Sequence, residues 1–573
     1  MALGPRDREA IVSTVLSIVR EFFVHRRMKT ALHGVDIVPL LDALRRRAAS
    51  MADDDFHAEL RRIVVRLRDR HTRYLHQPSG TSFNLPFVVE RAFEAKSPTY
   101  VVTLSQHPDI KVGAVVERWN GTPVELIVGE LAEDVAASNV AARRALAVRF
   151  LTARPATRFD PPTEQIVSLD LRAPDGTMSI VSVPWGTALM MPVVQSMPLA
   201  LQLGQGVDTD LLNLNQVTFK TLAKVQPEWA AVPYPNVQSR TVQHDGQSYG
   251  YLRIRDFSVT DADDFAAHVA SVVKMLPPAG LIIDLRGNPG GYIKAGELLL
   301  QLLTSKRITP EGFRFRASDA VGHILATSET FSTFKPTVEQ GTRLGEEHSG
   351  TFPIEGDEES FNGIGQIYSG PSILIVDALT FSTADIFTAG YIDHKIGTVV
   401  CTDENVSAGG ANNWRFDVLR ALMPGFVIAA DAEAELRRGQ VGAITIAGFA
   451  VEGQSVTAAA QVRSVPWDLG DLWEITENGR TYRVGKTPEF RLNLAVYFRE
   501  DNRFVIDLPA GVGFEFSIRQ ATRSRDAQGL VLEDDGVTAD HYYRMTRGDV
   551  LASNQDLIAF ACALFSQPSG APA

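Results

Sequence analysis

Apolar residues recur every three or four positions in "REAIVSTVLSIVREFF" and "FHAELRRIVVRLRD", a spacing that predicts helices over residues 7 to 70. From about residue 83 the pattern shortens. "FNLPFVVERAFEA", "PTYVVTLS" and "GAVVERWNGTPV" read as short strands punctuated by Gly, Pro and Asn. A helical stretch, "AASNVAARRALAVRFL", follows, and then two strands around Pro-Asp-Gly, a hairpin signal. Beyond a Gly/Gln/Pro-containing connector, strands alternate with helices: "YGYLRIRDFS", "DADDFAAHVASVVKML", "GLIIDLRG", "AGELLLQLLT", "PSILIVDAL", "TADIFTAGYIDH", "GTVVCTDE". That alternation predicts a mostly parallel sheet covered by helices. The expected organisation is a helical region at 1–82, a β-rich module with a helical insertion at 83–190, a connector at 191–240 and an α/β domain at 241–573. Residues 411–510 read as an insertion of irregular, strand-like pattern, and "NQDLIAFACALF" as a terminal helix before the low-complexity tail "SQPSGAPA".

The 573 residues exceed what one core usually serves, and 45% hydrophobic with 22% charged is an ordinary globular composition. A net charge of −12 disfavours nucleic acid as a partner. "RRMK" and "LRRR" read as solvated helix faces. Cys401 and Cys562 are too few for a disulfide framework or a cysteine zinc site and read as buried thiols. The opening "MALGPRDREA" lacks an apolar signal region, and no apolar run reaches the roughly 18 residues of a membrane span. The expectation is a soluble protein without a membrane span, cytoplasmic by default, with export by another route left open.

The chemistry concentrates in two turns. "LIIDLRGNPGGYIKAGELLLQLL", residues 281–303, runs from a strand through Asp284, Arg286 and Asn288 into Gly290-Gly291 and a helix. Its glycines match neither a P-loop nor a dinucleotide fingerprint. "PSILIVDALTFSTADIFTAG" repeats the plan with Ser382 in the turn. Ser382 suits a helix N-cap, with Asp385 completing a weak capping box. It also suits a nucleophile, because parallel strands bring their C-terminal ends to one crevice. The amides near Gly290 and Gly291 would then converge with that of Thr383 as an oxyanion hole.

Three segments resemble the C-terminal processing, or tail-specific, serine peptidases: "LIIDLRGNPGG", "LTFSTADIF" and "GLVLEDDGVTAD". The resemblance implies a crotonase/ClpP-like ββα core with Ser382 as nucleophile. One branch of the family uses a lysine base, but Gly409 or Gly410 stands where it should be and Lys395 falls too early. The other branch, which includes the tricorn core and chlamydial protease-like activity factor, uses Ser, His and Glu. "RLRDRHTRYL" resembles its Asp-x-His motif, which implies His71 as base with Asp69 beside it, and "LEDDG" implies Glu533 as the acid. Residues 83–190 resemble a divergent PDZ-like module on "VGAVVERWNGTPV".

The expected function is a serine endopeptidase with the catalytic set Ser382, His71 and Glu533. His71 would shuttle the proton; Asp284, Arg286 and Asn288 would hold the glycine turn. Each has a plainer rival: His71 as a surface histidine, with His76 close by, His394 as a helix-end histidine, Glu533 as part of a solvated acidic turn. No cofactor and no metal is implied, the partner is a peptide or protein substrate, and a homodimer is left open. Two other classes remain at this point, a catalytically silent homologue that binds peptide and an acyl-CoA enzyme on the same core.

Overall fold

The computed structural model describes residues 3–76, 81–189, 203–208, 210–215, 234–325, 329–422, 425–428, 442–449, 455–465, 472–477, 480–485 and 508–566. Most of the expected connector, the stretches 429–441 and 486–507 of the expected insertion, and the tail beyond 566 lie outside the described residues.

The central sheet has the strand order Val237–His244, Gln247–Ile254, Leu281–Asp284, Ser372–Val376, Thr398–Cys401, His541–Tyr542. The first pair is an antiparallel hairpin, and every later neighbour is parallel. Alternate side chains point to opposite faces. Tyr251, Ile282, Ile373, Ile375 and Val400 pack on Leu557, Ala561 and Cys562 of the terminal helix. Leu252, Ile254, Ile283, Leu374 and Val376 face the other way, into the main core. Both cysteines are buried and free.

Three of the four N-terminal helices join that core through residues such as Val15, Leu41 and Leu60, with Phe22 just after the first. A second sheet ties them to the other end of the chain. Its long strand, Val512–Thr522, pairs antiparallel with Arg73–His76, with Gly312–Phe315 and with Ala411–Arg415. The pairing Arg73↔Glu515 carries the loop of His71 to the α/β domain.

The β-rich module is a five-strand antiparallel path from Phe87–Glu94 to Met178–Pro184, with the helices Val124–Glu133 and Val140–Leu151 packed on it. The expected Pro-Asp-Gly hairpin joins Ile166–Arg172 to Met178–Pro184.

One buried pair of acids sits behind the glycine turn. Glu297, in the helix Ile293–Gln301, accepts the Glu311 N–H at 2.6 Å, and each carboxyl keeps one oxygen buried without a partner. Burial pushes the Glu297 carboxyl up to about 8 and raises Glu311 well above the usual range. Both groups hold more protons folded than unfolded. The contribution of Glu297 is therefore full below the unfolded carboxyl value and is lost as pH rises to about 8, and that of Glu311 has the same sign. The melting temperature should fall between about pH 5 and pH 8 in the wild type, and Glu297→Gln should flatten that fall. Parallel wild-type and variant curves would refute the assignment.

Candidate active site

Ser382 follows the strand Ser372–Val376 and opens the helix Thr383–Asp393 with φ 60° and ψ −117°. This is a strained backbone for a residue other than glycine, of the kind found where a side chain is held for function. Its side chain makes no cap hydrogen bond. Asp385 does not complete a box either; its carboxylate accepts the Gly409 N–H at 2.7 Å. The N-cap alternative therefore fails on geometry, and the hydroxyl points elsewhere.

It points at His71. The Nε2 of His71 lies 2.8 Å from Ser382 Oγ, across 311 residues of sequence, and both residues are buried. The imidazole is stacked on the Phe381 ring, 4.3 Å between centroids, and the Arg70 guanidinium lies 4.0 Å from the same ring. Burial pushes the His71 pKa down to about 3, so its ring is neutral near pH 7 and able to accept a proton. Asp69 fixes the loop: its carboxylate accepts the His71 N–H at 2.9 Å, the Ser517 hydroxyl at 2.9 Å and a hydrogen bond from His25 Nδ1 at 2.9 Å. Burial alone would raise the Asp69 carboxyl. The His25 hydrogen bond and the nearby charges of His25 and Lys29 outweigh it and hold the group well below the usual range.

Glu533 needs a correction. It is buried, as a triad acid would be, but it does not hydrogen-bond to His71. Its Oε1 accepts from Lys29 Nζ at 2.5 Å, while Glu533 Oε2 and His71 Nδ1 are each buried without a partner. Lys29 also pairs with Asp534 at 3.0 Å. Burial would lower the Lys29 ammonium, but the Glu533 and Asp534 charges raise it. Sequence reasoning placed Lys29 on a solvated face, yet it is 1% exposed. His25, Asp69 and Glu533 offer ligand atoms within 4.8 Å of one another, with the Lys29 ammonium already against Glu533.

The supporting residues hold the glycine turn. Asp284 accepts from Arg253 at 2.6 Å, Arg286 at 2.7 Å and the Tyr251 hydroxyl at 2.5 Å. Asn288 donates to Ile254 O at 3.1 Å and accepts the Gly290 N–H at 2.9 Å. That second bond corrects the oxyanion assignment, because the Gly290 amide is committed to Asn288. Thr383 remains, at the first helical position, where an N–H has no intrahelical acceptor, together with Gly291, whose N–H faces Gly206 of the strand described below.

The remaining histidines are elsewhere. His76 stacks on His57 at 3.5 Å, and His394 bonds to Gly390 O and to the Thr309 N–H. Lys395, the too-early lysine, is exposed and paired with Asp526.

A short strand of the same chain covers the site. Gln205–Val207 pairs antiparallel with Gly290–Tyr292, placing Gly206 opposite Gly291. Flanking bonds run from the Ile293 N–H to Gly204 O and from the Asp208 N–H to Pro289 O. Alternation makes Gly206 and Gly291 a hydrogen-bonded pair. A side chain at Gly206 would put its Cβ 2.2 Å from Ser382 Oγ, so only glycine fits over the hydroxyl. The neighbouring chain is pinned: Arg519 donates to Leu203 O at 2.8 Å and Asn215 to Gly287 O at 2.7 Å. Nothing in the sequence pattern marked this strand.

Residues 248–419 match the profile of peptidase family S41, and residues 81–189 match a PDZ domain profile. The carboxy-terminal processing protease CtpB of Bacillus subtilis (strain 168) is 38% identical over 77 residues, which make up 13% of this chain and 16% of that protein. The crystal structure of mature CPAF superposes with a TM-score of 0.60 at 16% identity, covering 99% of each chain. Mature CPAF complexed with lactacystin gives 0.58 at 16% identity, covering 98% of this chain and 99% of that one. These superpositions show a shared fold along nearly the whole length. Ser382 lies within the stretch that matches peptidase family S41, which follows in the chain the stretch that matches a PDZ domain, while His71 precedes both.

Proposed function

We propose that this protein is a serine endopeptidase of the tail-specific type, with Ser382 as nucleophile and His71 as general base. The observation that carries this reading is the 2.8 Å contact between His71 Nε2 and Ser382 Oγ at a strained, buried turn. His71 takes the hydroxyl proton as Oγ attacks the peptide carbonyl, then gives it to the leaving amine. The Gly291 and Thr383 amides stabilise the oxyanion, and water hydrolyses the acyl-enzyme. Asp69 positions the base through its backbone. Glu533, held by Lys29, lies behind Asp69 and supports the loop that carries the base. Hydrolysis requires the strand Gln205–Val207 to leave, since it occupies the path of a substrate backbone.

The PDZ domain supports a peptide or protein substrate. Its outer strand, Phe87–Glu94, and the helix Val140–Leu151 open onto a cleft of about 670 Å³ that also reaches Arg253 and Arg286 of the peptidase domain. An extended tail would add to that outer strand by main-chain hydrogen bonds. No described helix is long and apolar enough to cross a membrane.

Incubation of the protein with a panel of unstructured peptides, followed by mass spectrometry of the products, tests the reading. Internal peptide bonds should be cut, and Ser382→Ala should reduce the rate by at least about 10³-fold with an unchanged melting temperature. A folded Ser382→Ala chain that still cuts at the wild-type rate would end the proposal.

A further inference from the structure

The side chain of His71 makes one described hydrogen bond, from Nε2 to Ser382 Oγ at 2.8 Å. Its Nδ1 is buried and has no hydrogen-bond partner among the described residues. A single bond at Nε2 leaves the ring weakly held against turning about its Cβ–Cγ axis, and that turn swings the Nε2 lone pair off the hydroxyl. In a hydrogen-bonded triad a carboxylate at Nδ1 removes this freedom. Here the Glu533 carboxylate is bonded to Lys29, and Asp69 accepts the backbone N–H of His71 rather than its ring.

The ring of Phe381 supplies a constraint of another kind. Its centroid lies 4.3 Å from that of His71, with 30° between the planes, so the two rings are stacked. Phe381 is 1% exposed, yet it belongs to none of the apolar core clusters of the described residues. Its ring meets His71, the Arg70 guanidinium at 4.0 Å and the backbone of Gly409. That position is fixed from two directions. The Phe381 N–H donates to Asn288 O at 2.9 Å, and the Gly409 N–H donates to Asp385 at 2.7 Å. A Cβ at Gly409 would lie 2.1 Å from Phe381 Cε2, so the ring edge rests directly on that glycine. Because Phe381 precedes Ser382 in the chain, the surface under the base and the nucleophile are carried by one turn.

We propose that Phe381 is a positioning residue for the peptidase reaction: its aromatic face sets the plane of the His71 imidazole, and so the aim of Nε2 at Ser382 Oγ. The inference rests on the peptidase reading above and deepens it. Phe381 acts through the base. It takes the orienting part that a carboxylate at Nδ1 takes in a hydrogen-bonded triad. Proton transfer is steep in geometry, and a misplacement of about 1 Å costs about 10²-fold in rate. An aliphatic side chain of similar bulk fills the space but offers no flat face for an aromatic ring to lie on.

Two full-length variants test this. Phe381→Leu removes the flat face, and Gly409→Ala keeps every side chain around Ser382 but drives a methyl group against the ring edge. Each is compared with wild type for peptide hydrolysis, for the rate at which a fluorophosphonate probe labels Ser382, and for melting temperature. Phe387→Leu is the control for lost packing, since Phe387 is equally buried but lies in the main core. In both test variants kcat and the labelling rate should fall by about 10- to 100-fold, with KM within about threefold of wild type. Phe387→Leu should lower the melting temperature without that fall in kcat. Wild-type kcat in either test variant, once folded, would overturn the proposal. So would an equal loss of kcat in Phe387→Leu, which would make the effect one of packing. Crystal structures of wild type and Phe381→Leu give a readout independent of activity. The imidazole plane should turn and the Nε2–Oγ separation should pass about 3.5 Å, and an unchanged ring would overturn the role of Phe381. A wild-type chain that neither cuts peptide nor takes the probe would instead remove the peptidase reading, with the crystallographic comparison still deciding what holds the imidazole.

Discussion

Replacing His71 with alanine should lower peptide hydrolysis by about 10⁴-fold while the protein stays folded, because a serine hydroxyl without a base is a poor nucleophile. The size of the loss follows from the site. Ser382 is fully buried, so bulk water has little access to serve as a substitute base. Its other described contact is Ala411 O at 3.5 Å, a carbonyl that can accept a hydrogen bond but not remove a proton at neutral pH. His71 also contributes little to the core beyond its stacking on Phe381, so the variant should lose less stability than activity. A loss below about tenfold would mean that another group takes the proton. The covering strand sets a condition on the measurement. Wild type and variant must be compared as the same intact chain.

The second large effect is on stability. Lys29→Met should destabilise the fold by about 3–5 kcal/mol, the usual cost of removing one partner of a buried ion pair. Lys29 is 1% exposed and holds Glu533 at 2.5 Å and Asp534 at 3.0 Å, with Asp69 among the charges that act on it. Methionine keeps the length of the side chain and removes the charge, leaving buried carboxylates facing one another. The double variant Lys29→Met/Glu533→Gln should recover part of the loss, since it also removes the charge left unpaired. Denaturant unfolding of the three proteins gives both numbers. A Lys29→Met chain within about 1 kcal/mol of wild type would show that the cluster is hydrated or differently paired.

What could be read from the sequence divides along physical lines. The parallel sheet was legible because its strands are short apolar runs separated by helices of regular period, such as "LIIDL" before "AGELLLQLLT". Ser382 and His71 were legible because each sits in a short motif whose spacing the chemistry constrains. The structure adds what no local motif contains, the 2.8 Å contact between them. The partner of Glu533 was not legible. Lys29 stands in a run of basic residues that looks solvated, and its partner is 504 residues away. The Gly290 amide was misassigned because a side chain two residues earlier turns back on it, a bond that the Asn-x-Gly spacing permits without requiring. The strand Gln205–Val207 has only three residues and no alternation of its own. It exists because the edge of Gly290–Tyr292 offers it hydrogen bonds, a tertiary cause that composition and periodicity do not report.

The central claim is that one imidazole activates one hydroxyl, and covalent labelling addresses it most directly. A fluorophosphonate probe should be incubated with the wild-type chain and with the same chain carrying His71→Ala, and the adduct located by mass spectrometry. The account predicts a single adduct on Ser382 in the first protein and none in the second. An adduct on a different residue, or equal labelling of Ser382 with and without His71, would contradict it.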